Sequence, residues 1–246
     1  MILFGATGTI GKRIFAEAIR RGHQVTVFVR DASKVAPGAK PARVIEGNVN
    51  FPEQVTDAAR GHEIAISALG PRADAPYEIV DLYKSLIAGL RQAGVGRLVV
   101  VGGAGSLQTP DGVRLFDSPT FPKEWLGVAK AHGEVLELLK DSELDWTYIS
   151  PPALIQPGER TGKYRRGENQ LLFDAQGKSQ ISDEDYAIAL LDEVETAQAR
   201  RKRITVTMCP GNARRSGHSQ HGLTRGGRER CRRPAHARVS LVPEFA

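Results

Sequence analysis

Apolar residues recur along this chain in two alternating rhythms. Short runs rich in β-branched residues, "QVTVFV" from Gln24, "ARVIEG" from Ala42, "EIAISALG" from Glu63 and "RLVVVGG" from Arg97, read as strands. "MILF" opens the series and "DWTYIS" continues it. Between them the apolar spacing changes to that of helices. "TIGKRIFAEAIRRG" places Ile10, Ile14, Phe15, Ala18 and Ile19 on one face, and Gly22 supplies a stop. "FPEQVTDAARG", "APYEIVDLYKSLIAGLRQAG" (closed by Gly94) and "KEWLGVAKAHGEVLELLKDS" follow the same helical pattern. After Pro151 and Pro152 the rhythm loosens into a strand at "NQLLF", a helix at "SDEDYAIALLDEVE" and a last strand at "RITVTM". Ser182 with Asp185 has capping-box spacing, so the acids there are expected to cap that helix rather than catalyse.

Strands that alternate with helices imply parallel pairing, because parallel strands need crossover connections. The expected fold is therefore α/β, a Rossmann-like doubly wound parallel sheet with helices on both faces. The apolar runs are too short to cross a bilayer. No basic segment followed by an apolar stretch opens the chain, and a cytoplasmic location without membrane partners is expected.

Charge changes this picture only at one end. Residues 209–246 hold eight arginines and two glutamates, which account for the whole net charge of +6 and leave positions 1–208 balanced. Both cysteines, Cys209 and Cys231, also fall there, so the body has no disulfide framework, thiolate metal site or cysteine nucleophile. The segment "RRSGHSQHGLTRGGRERCRRPAHAR" lacks apolar periodicity, and an Arg-rich disordered tail is expected. A nucleic-acid-binding arm and a change of reading frame near Met208 are the alternatives; the first is disfavoured by the lack of aromatic residues before Phe245.

The candidate chemistry lies at the start. Gly5, Gly8 and Gly11, in "GATGTIGKRI", stand between a strand and a helix, where a dinucleotide fingerprint belongs. Glycines there permit a tight turn and close approach of a pyrophosphate to a helix N-terminus, with Thr7 and Thr9 as further donors. About nineteen residues beyond Gly11, at the end of the second strand, stands Arg30, which suits a 2′-phosphate and favours NADP(H) over NAD(H). Asp31 beside it would serve NAD if the strand end shifted by one residue. Asn48 is placed either to meet the adenine edge or to form a turn. The histidines His23, His62 and His132 are scattered without metal-site spacing, and no Gly-x-Ser-x-Gly elbow marks a hydrolase.

"GATGTIGKRI", "VFVRDASK", "VVVGGAGSL", "LDWTYISPP", "GERTGKYRRGENQLL" and "ISDEDYAIALLDE" together resemble the NmrA-like atypical short-chain dehydrogenases. More narrowly, the chain is similar to bacterial NAD(P)H-flavin reductases of that group, relatives of biliverdin reductase B. The resemblance covers positions 1–208. It implies one Rossmann-like domain whose C-terminal part shapes the substrate pocket. By position, it implies that Gly5, Thr7, Gly8, Thr9, Ile10 and Arg30 hold the pyrophosphate and adenosine. It further implies that Ser67, Ala68 and Leu69 line the adenosine ribose side, and that Gly102, Gly103, Ala104 and Pro151, Pro152, Ala153 and Leu154 face the nicotinamide.

One departure bears on the chemistry. Carbonyl-reducing short-chain dehydrogenases use Tyr-x-x-x-Lys, and here Lys130 stands at the lysine position while Leu126 replaces the tyrosine. Ser106 and Lys130 are the remaining catalytic candidates, Lys130 either as a ribose ligand or as a solvated helix residue. A ketone needs a proton donor at its oxygen, whereas a flavin such as FMN, or a quinone, accepts hydride with solvent settling the proton later. Phe116, Phe121 and Trp125 are placed to stack a planar acceptor or to pack their loop onto the body. Arg160, Lys163, Arg165 and Arg166 would meet a flavin phosphate or stay solvated. The expected function is NADPH-dependent reduction of a flavin or quinone; the alternative is an NADP(H)-binding sensor without turnover.

Overall fold

The structure, a computed structural model, describes residues 1–35, 40–174 and 176–209. The expected tail from 210 onward lies outside the described residues. Ten strands and five helices follow one another: β1 (Ile2–Phe4), α1 (Thr9–Arg20), β2 (Thr26–Val29), β3 (Arg43–Glu46), α2 (Pro52–Ala59), β4 (Ile64–Ser67), α3 (Glu78–Gln92), β5 (Arg97–Val101), α4 (Lys123–Asp141), β6 (Asp145–Ser150), β7 (Leu154–Gln156), β8 (Tyr164–Gly167), β9 (Gln180–Ser182), α5 (Asp183–Thr196) and β10 (Lys202–Met208).

Eight strands form one sheet in the order β3-β2-β1-β4-β5-β6-β10-β8, all parallel except β8, which runs antiparallel to β10. The direction of winding reverses between β1 and β4, the switch point outside whose strand ends such sheets bind ligands. Alternation along the strands splits the core in two. Phe4, Leu98, Val100, Trp146 and Tyr148 face α2, α3 and α4, while Leu3, Val99, Val101, Ile149, Ile204 and Val206 face α1 and α5. The expected Rossmann-like, doubly wound α/β fold is what the chain adopts.

The C-terminal third departs from expectation. "NQLLF" is not a strand; Gln170 makes only an isolated bridge to Gln108, and the strand lies earlier, at Tyr164–Gly167. β7 and β9, both unexpected, pair parallel in a small second sheet. Helix α5 is buried almost all round rather than along one stripe. Two of its buried acids are tied down by several bonds each. Glu193 bonds Arg97 and Arg166 and accepts the Ala199 N–H, while Asp185 accepts from the Thr161 hydroxyl and the Gly162 N–H. Ser182 caps the helix by accepting the Asp185 N–H at 3.0 Å, as the capping-box spacing predicts.

Candidate functional site

The glycine loop is shaped by three different demands. Gly5 turns with φ +80°, and a Cβ there would sit 2.6 Å from the Ala68 carbonyl oxygen. A Cβ on Gly11 would lie 2.0 Å from the Gly5 carbonyl oxygen, so only hydrogen lets the first turn of α1 close onto the loop. Gly8 is different: a Cβ there would meet nothing nearer than 3.5 Å. Its bareness leaves space above the N-terminus of α1 instead of relieving a contact.

That N-terminus is open to an anion. Gly8 is its N-cap, no side chain caps it and its first turn carries no acid. Helix α5 gives the contrast. It runs alongside α1 in the same sense, with Arg13 bonding Glu184 and Arg21 bonding Asp192, so both N-termini point to the same end of the sheet. The α5 end is closed by Ser182, with Asp183, Glu184 and Asp185 in its first turn. Of the two, only α1 presents free N–H groups beside a gap, and this fits a pyrophosphate. Thr7 is part-exposed and Thr9 exposed at that gap, while Ile10 is half-buried.

At the end of β2, Arg30 is exposed and makes no hydrogen bond or ion pair among the described residues. Asp31 is committed to its own turn, where it accepts from the Ser33 N–H and hydroxyl at 3.0 and 2.6 Å. These bonds hold its carboxyl below the ordinary range. Asn48 is also in a turn, its Oδ1 accepting the Asn50 N–H, so the turn alternative describes its oxygen. The Ser67 hydroxyl is buried against the Tyr83 hydroxyl, and Ala68 and Leu69 lie half-buried beside the Gly5 turn.

The turn after β5 is fixed from beneath by Tyr148. Its ring fills the space that a Cβ on Gly102 would need, 2.2 Å away, and its hydroxyl accepts the Gly103 N–H and donates to the His132 carbonyl. Burial pushes the Tyr148 phenol well above its ordinary value. With both bonds made inside the protein, it offers no acid to a substrate. Pro151 and Pro152 are buried, Ala153 is exposed with its N–H on Ser179 Oγ, and Leu154 begins β7. Ala104 is half-buried in the same turn as Gly103.

Among the catalytic candidates, Lys130 is exposed on α4 and Leu126 is part-buried where a tyrosine would stand. The Ser106 hydroxyl is not free, since it accepts from Arg203 Nη1 at 2.8 Å. Phe116 packs its loop: it is buried against Gly105 and Gly133 with the Arg114 guanidinium 4.7 Å above its ring. Phe121 is half-buried. Trp125 is 50% exposed. It shares a helical face with Ala129 and His132, whose side chains meet Gly105 and Gly103, and so stands one turn beyond them over the strand ends.

Of the four cations expected to meet a flavin phosphate or stay solvated, Arg160 and Arg166 are committed elsewhere. Arg160 forms a two-pronged pair with Glu17, at 3.0 and 3.1 Å, which fastens the 158–162 segment to α1. Arg166 is in strand β8 and pairs with Glu193, so neither is a free cation. The reading missed Glu17 as a buried anchor because its position on α1 carries no signal apart from tertiary contact. An open groove of about 660 Å³ lies between α3 and α4 near Lys84, Arg91 and Glu143, at the opposite ends of the strands, away from this site.

His132 provides a pH signature. The residue keeps some exposure, but its Nδ1 is shut off from solvent without a partner among the described residues, and burial lowers its pKa to about 4. The unfolded chain would take up that proton near pH 6.5, so stability is complete above 6.5 and falls as pH drops toward 4. A loss of up to about 3 kcal/mol is expected over that window. Urea denaturation at a series of pH values should show the slope in the wild type and a flatter one in His132→Leu; equal slopes would assign it to other groups.

Switch point, glycine loop and open helix end together define a nicotinamide-dinucleotide-binding protein of Rossmann type. The chain belongs to the NAD(P)H-binding family, whose model matches residues 5–197. Protein YwnB of Bacillus subtilis is 39% identical over 208 residues, covering 83% of this chain and 96% of its own. A Burkholderia pseudomallei structure whose name proposes an exported protein is 45% identical, with a TM-score of 0.76 over 84% of this chain and 98% of its own. A Streptococcus pneumoniae structure whose name proposes an NADH-flavin reductase is 34% identical, with a TM-score of 0.72 over 84% and 98%. The resemblance to NmrA-like atypical short-chain dehydrogenases and flavin-reductase-type proteins is borne out. No described helix is long and apolar enough to cross a membrane, and no described cluster of His, Cys, Asp and Glu has the makings of a metal site.

Proposed function

We propose that the protein is an NADPH-dependent reductase that delivers hydride to a flavin or quinone acceptor without a Tyr-x-x-x-Lys proton donor. The observation that carries the reading is the open α1 N-terminus above Gly8, with an uncommitted Arg30 at the end of β2 beside an Asp31 already bonded to Ser33. The nicotinamide supplies the hydride. The chain contributes pyrophosphate binding at Gly5 to Gly11, a 2′-phosphate contact from Arg30, and a wall from Gly102 to Ala104 against which the ring is held. Lys130 is free to reach the nicotinamide ribose. A planar acceptor stacks on Trp125, which agrees with the flavin-reductase name of the Streptococcus pneumoniae relative. Positioning and water exclusion suffice for such a transfer.

The second reading, an NADP(H) sensor, is favoured by one observation. The hydroxyls of the buried Tyr148 and Tyr83 are spent on internal bonds, so neither offers a proton to an acceptor. Reduced-nicotinamide absorbance of the full chain, followed with FMN, a quinone or no acceptor, separates the two. Acceptor-dependent loss of NADPH supports the reductase, and tight NADPH binding without loss supports the sensor. Arg30→Ala is expected to weaken NADPH binding about tenfold or more and leave NADH binding unchanged. Equal loss for both nucleotides would remove the 2′-phosphate from Arg30.

A further inference from the structure

Three adjacent strands bring unanswered polar atoms to one spot. Ser150 closes β6 and pairs with Thr205 of β10, which pairs in turn with Gly167 of β8; Arg165 follows one step along, opposite Thr207. Side-chain alternation places Ser150, Thr205 and Arg165 on the face toward α4, since Ile204, Val206 and Arg166 serve the α5 face. Ser150 Oγ, Thr205 Oγ1 and Arg165 Nε are all shut off from solvent with no hydrogen-bond partner among the described residues, and both hydroxyl residues are 0% exposed. Leaving such atoms unpaired is costly, and three in one place is unusual.

Two cations border them. Arg203, opposite Tyr148, bonds only neutral groups: the Ser106 carbonyl and hydroxyl and the Asn169 side-chain oxygen. Among the described residues Arg165 donates only to the Phe173 carbonyl. Arg21, Arg97, Arg160 and Arg166 each have a carboxylate, whereas neither of these has an ion pair among the described residues. Asp174, whose charge acts on Arg165, is turned into its own bend, accepting the Gln176 and Lys178 N–H groups. Burial lowers the pKa of both guanidiniums, outweighing the pull of Asp174 on Arg165 and of Tyr148 and Glu137 on Arg203. Leu172 covers the spot: its methyls would lie 3.1 and 3.2 Å from a Cβ on Gly167, with the Thr205 methyl equally close.

We propose that Arg165 and Arg203, with the hydroxyls of Ser150 and Thr205, bind the anionic group of the acceptor, a phosphate or carboxylate, when the 168–174 segment lifts from them. The proposal rests on the reductase reading and adds the acceptor's charge to it. An anion offers these guanidiniums a stronger partner than the carbonyls they now hold. The site adjoins the Gly102–Ala104 turn, because Gly102 N–H bonds the Ile149 carbonyl beside Ser150.

The test is equilibrium binding to the protein loaded with NADP⁺, where no turnover intrudes. FMN is compared with riboflavin, and anthraquinone-2-carboxylate with its carboxamide, so that phosphate and carboxylate are judged separately. At least one anionic partner of a pair should bind about tenfold tighter or more, and Arg165→Met should reduce it to its neutral analogue while leaving that analogue unchanged. Thr205→Val should raise Tm by about 2–4 °C, having removed an unpaired hydroxyl, and still weaken the anion; a merely structural threonine would not separate the two. Equal binding within both pairs, in wild type and Arg165→Met alike, overturns the anion site and leaves the reductase reading standing. If no acceptor binds, the reductase reading falls. The site is then judged by inorganic phosphate on the same NADP⁺-loaded protein, where a Kd indifferent to Arg165→Met overturns it as well.

Discussion

Gly8→Ala is expected to leave the fold intact and weaken NADPH binding by about a hundredfold, whereas Gly11→Ala, three residues on, is expected to destabilise the fold itself by about 3 kcal/mol or more. The two changes add the same methyl. At Gly11 it meets the Gly5 carbonyl oxygen at 2.0 Å, an atom of the backbone that cannot swing aside. At Gly8 the nearest atom is at 3.5 Å and φ is −74°, which alanine adopts freely, so stability should hold or rise slightly. What the Gly8 methyl fills is the space above the open N-terminus of α1. Urea denaturation with and without nucleotide, together with a fluorescence titration of NADPH, reads both effects. Normal NADPH affinity in Gly8→Ala would mean that the pyrophosphate lies elsewhere.

The second large effect is expected at Glu193 of helix α5. This carboxylate is 2% exposed and holds Arg97 at 3.0 Å, Arg166 at 3.0 Å and the Ala199 N–H at 2.7 Å. Glu193→Gln would leave the buried Arg97 guanidinium with Asp145, at 3.2 Å, as its remaining carboxylate, and a loss of about 3 kcal/mol is expected. Replacing both members, Glu193→Met with Arg97→Met, should recover part of that loss, since Asp145 keeps Arg200 at 2.9 Å once Arg97 is gone. A double-mutant cycle in urea measures the coupling. Additive losses would show that the pair is incidental to α5 and that packing alone seats the helix.

The first two-thirds of the fold was legible because each element carries its own local signal. The glycine loop is flanked by β1 and α1, and the runs of β2, β4 and β5 are apolar throughout because both faces of a parallel sheet are covered. Arg30 and the glycines could be placed by counting from that loop. The last third was not legible, for a physical reason. β8 reads "YRRG" and passes for a solvated basic loop, yet it lies at the sheet's edge with Arg166 answered by Glu193 across the fold. "NQLLF" carries the apolar signal of a strand, but Leu172 spends it on covering Gly167. Likewise Arg160 resembled a phosphate ligand until Glu17, distant in sequence, was seen to hold it. Ion pairs between residues more than a hundred positions apart leave no trace in spacing.

The position of β10 has a consequence for how the chain is made. It is the last described strand, yet it lies inside the sheet, between β6 and β8. β8 emerges earlier during synthesis but joins the sheet only through β10, and β6 keeps one edge unpaired until the same moment. A nascent chain that has not yet released Lys202 to Met208 therefore carries two unfinished strand edges, one of them flanked by the apolar residues of β6. Such edges are templates for pairing with another chain. The sheet is closed on that side only by the last described strand to be made.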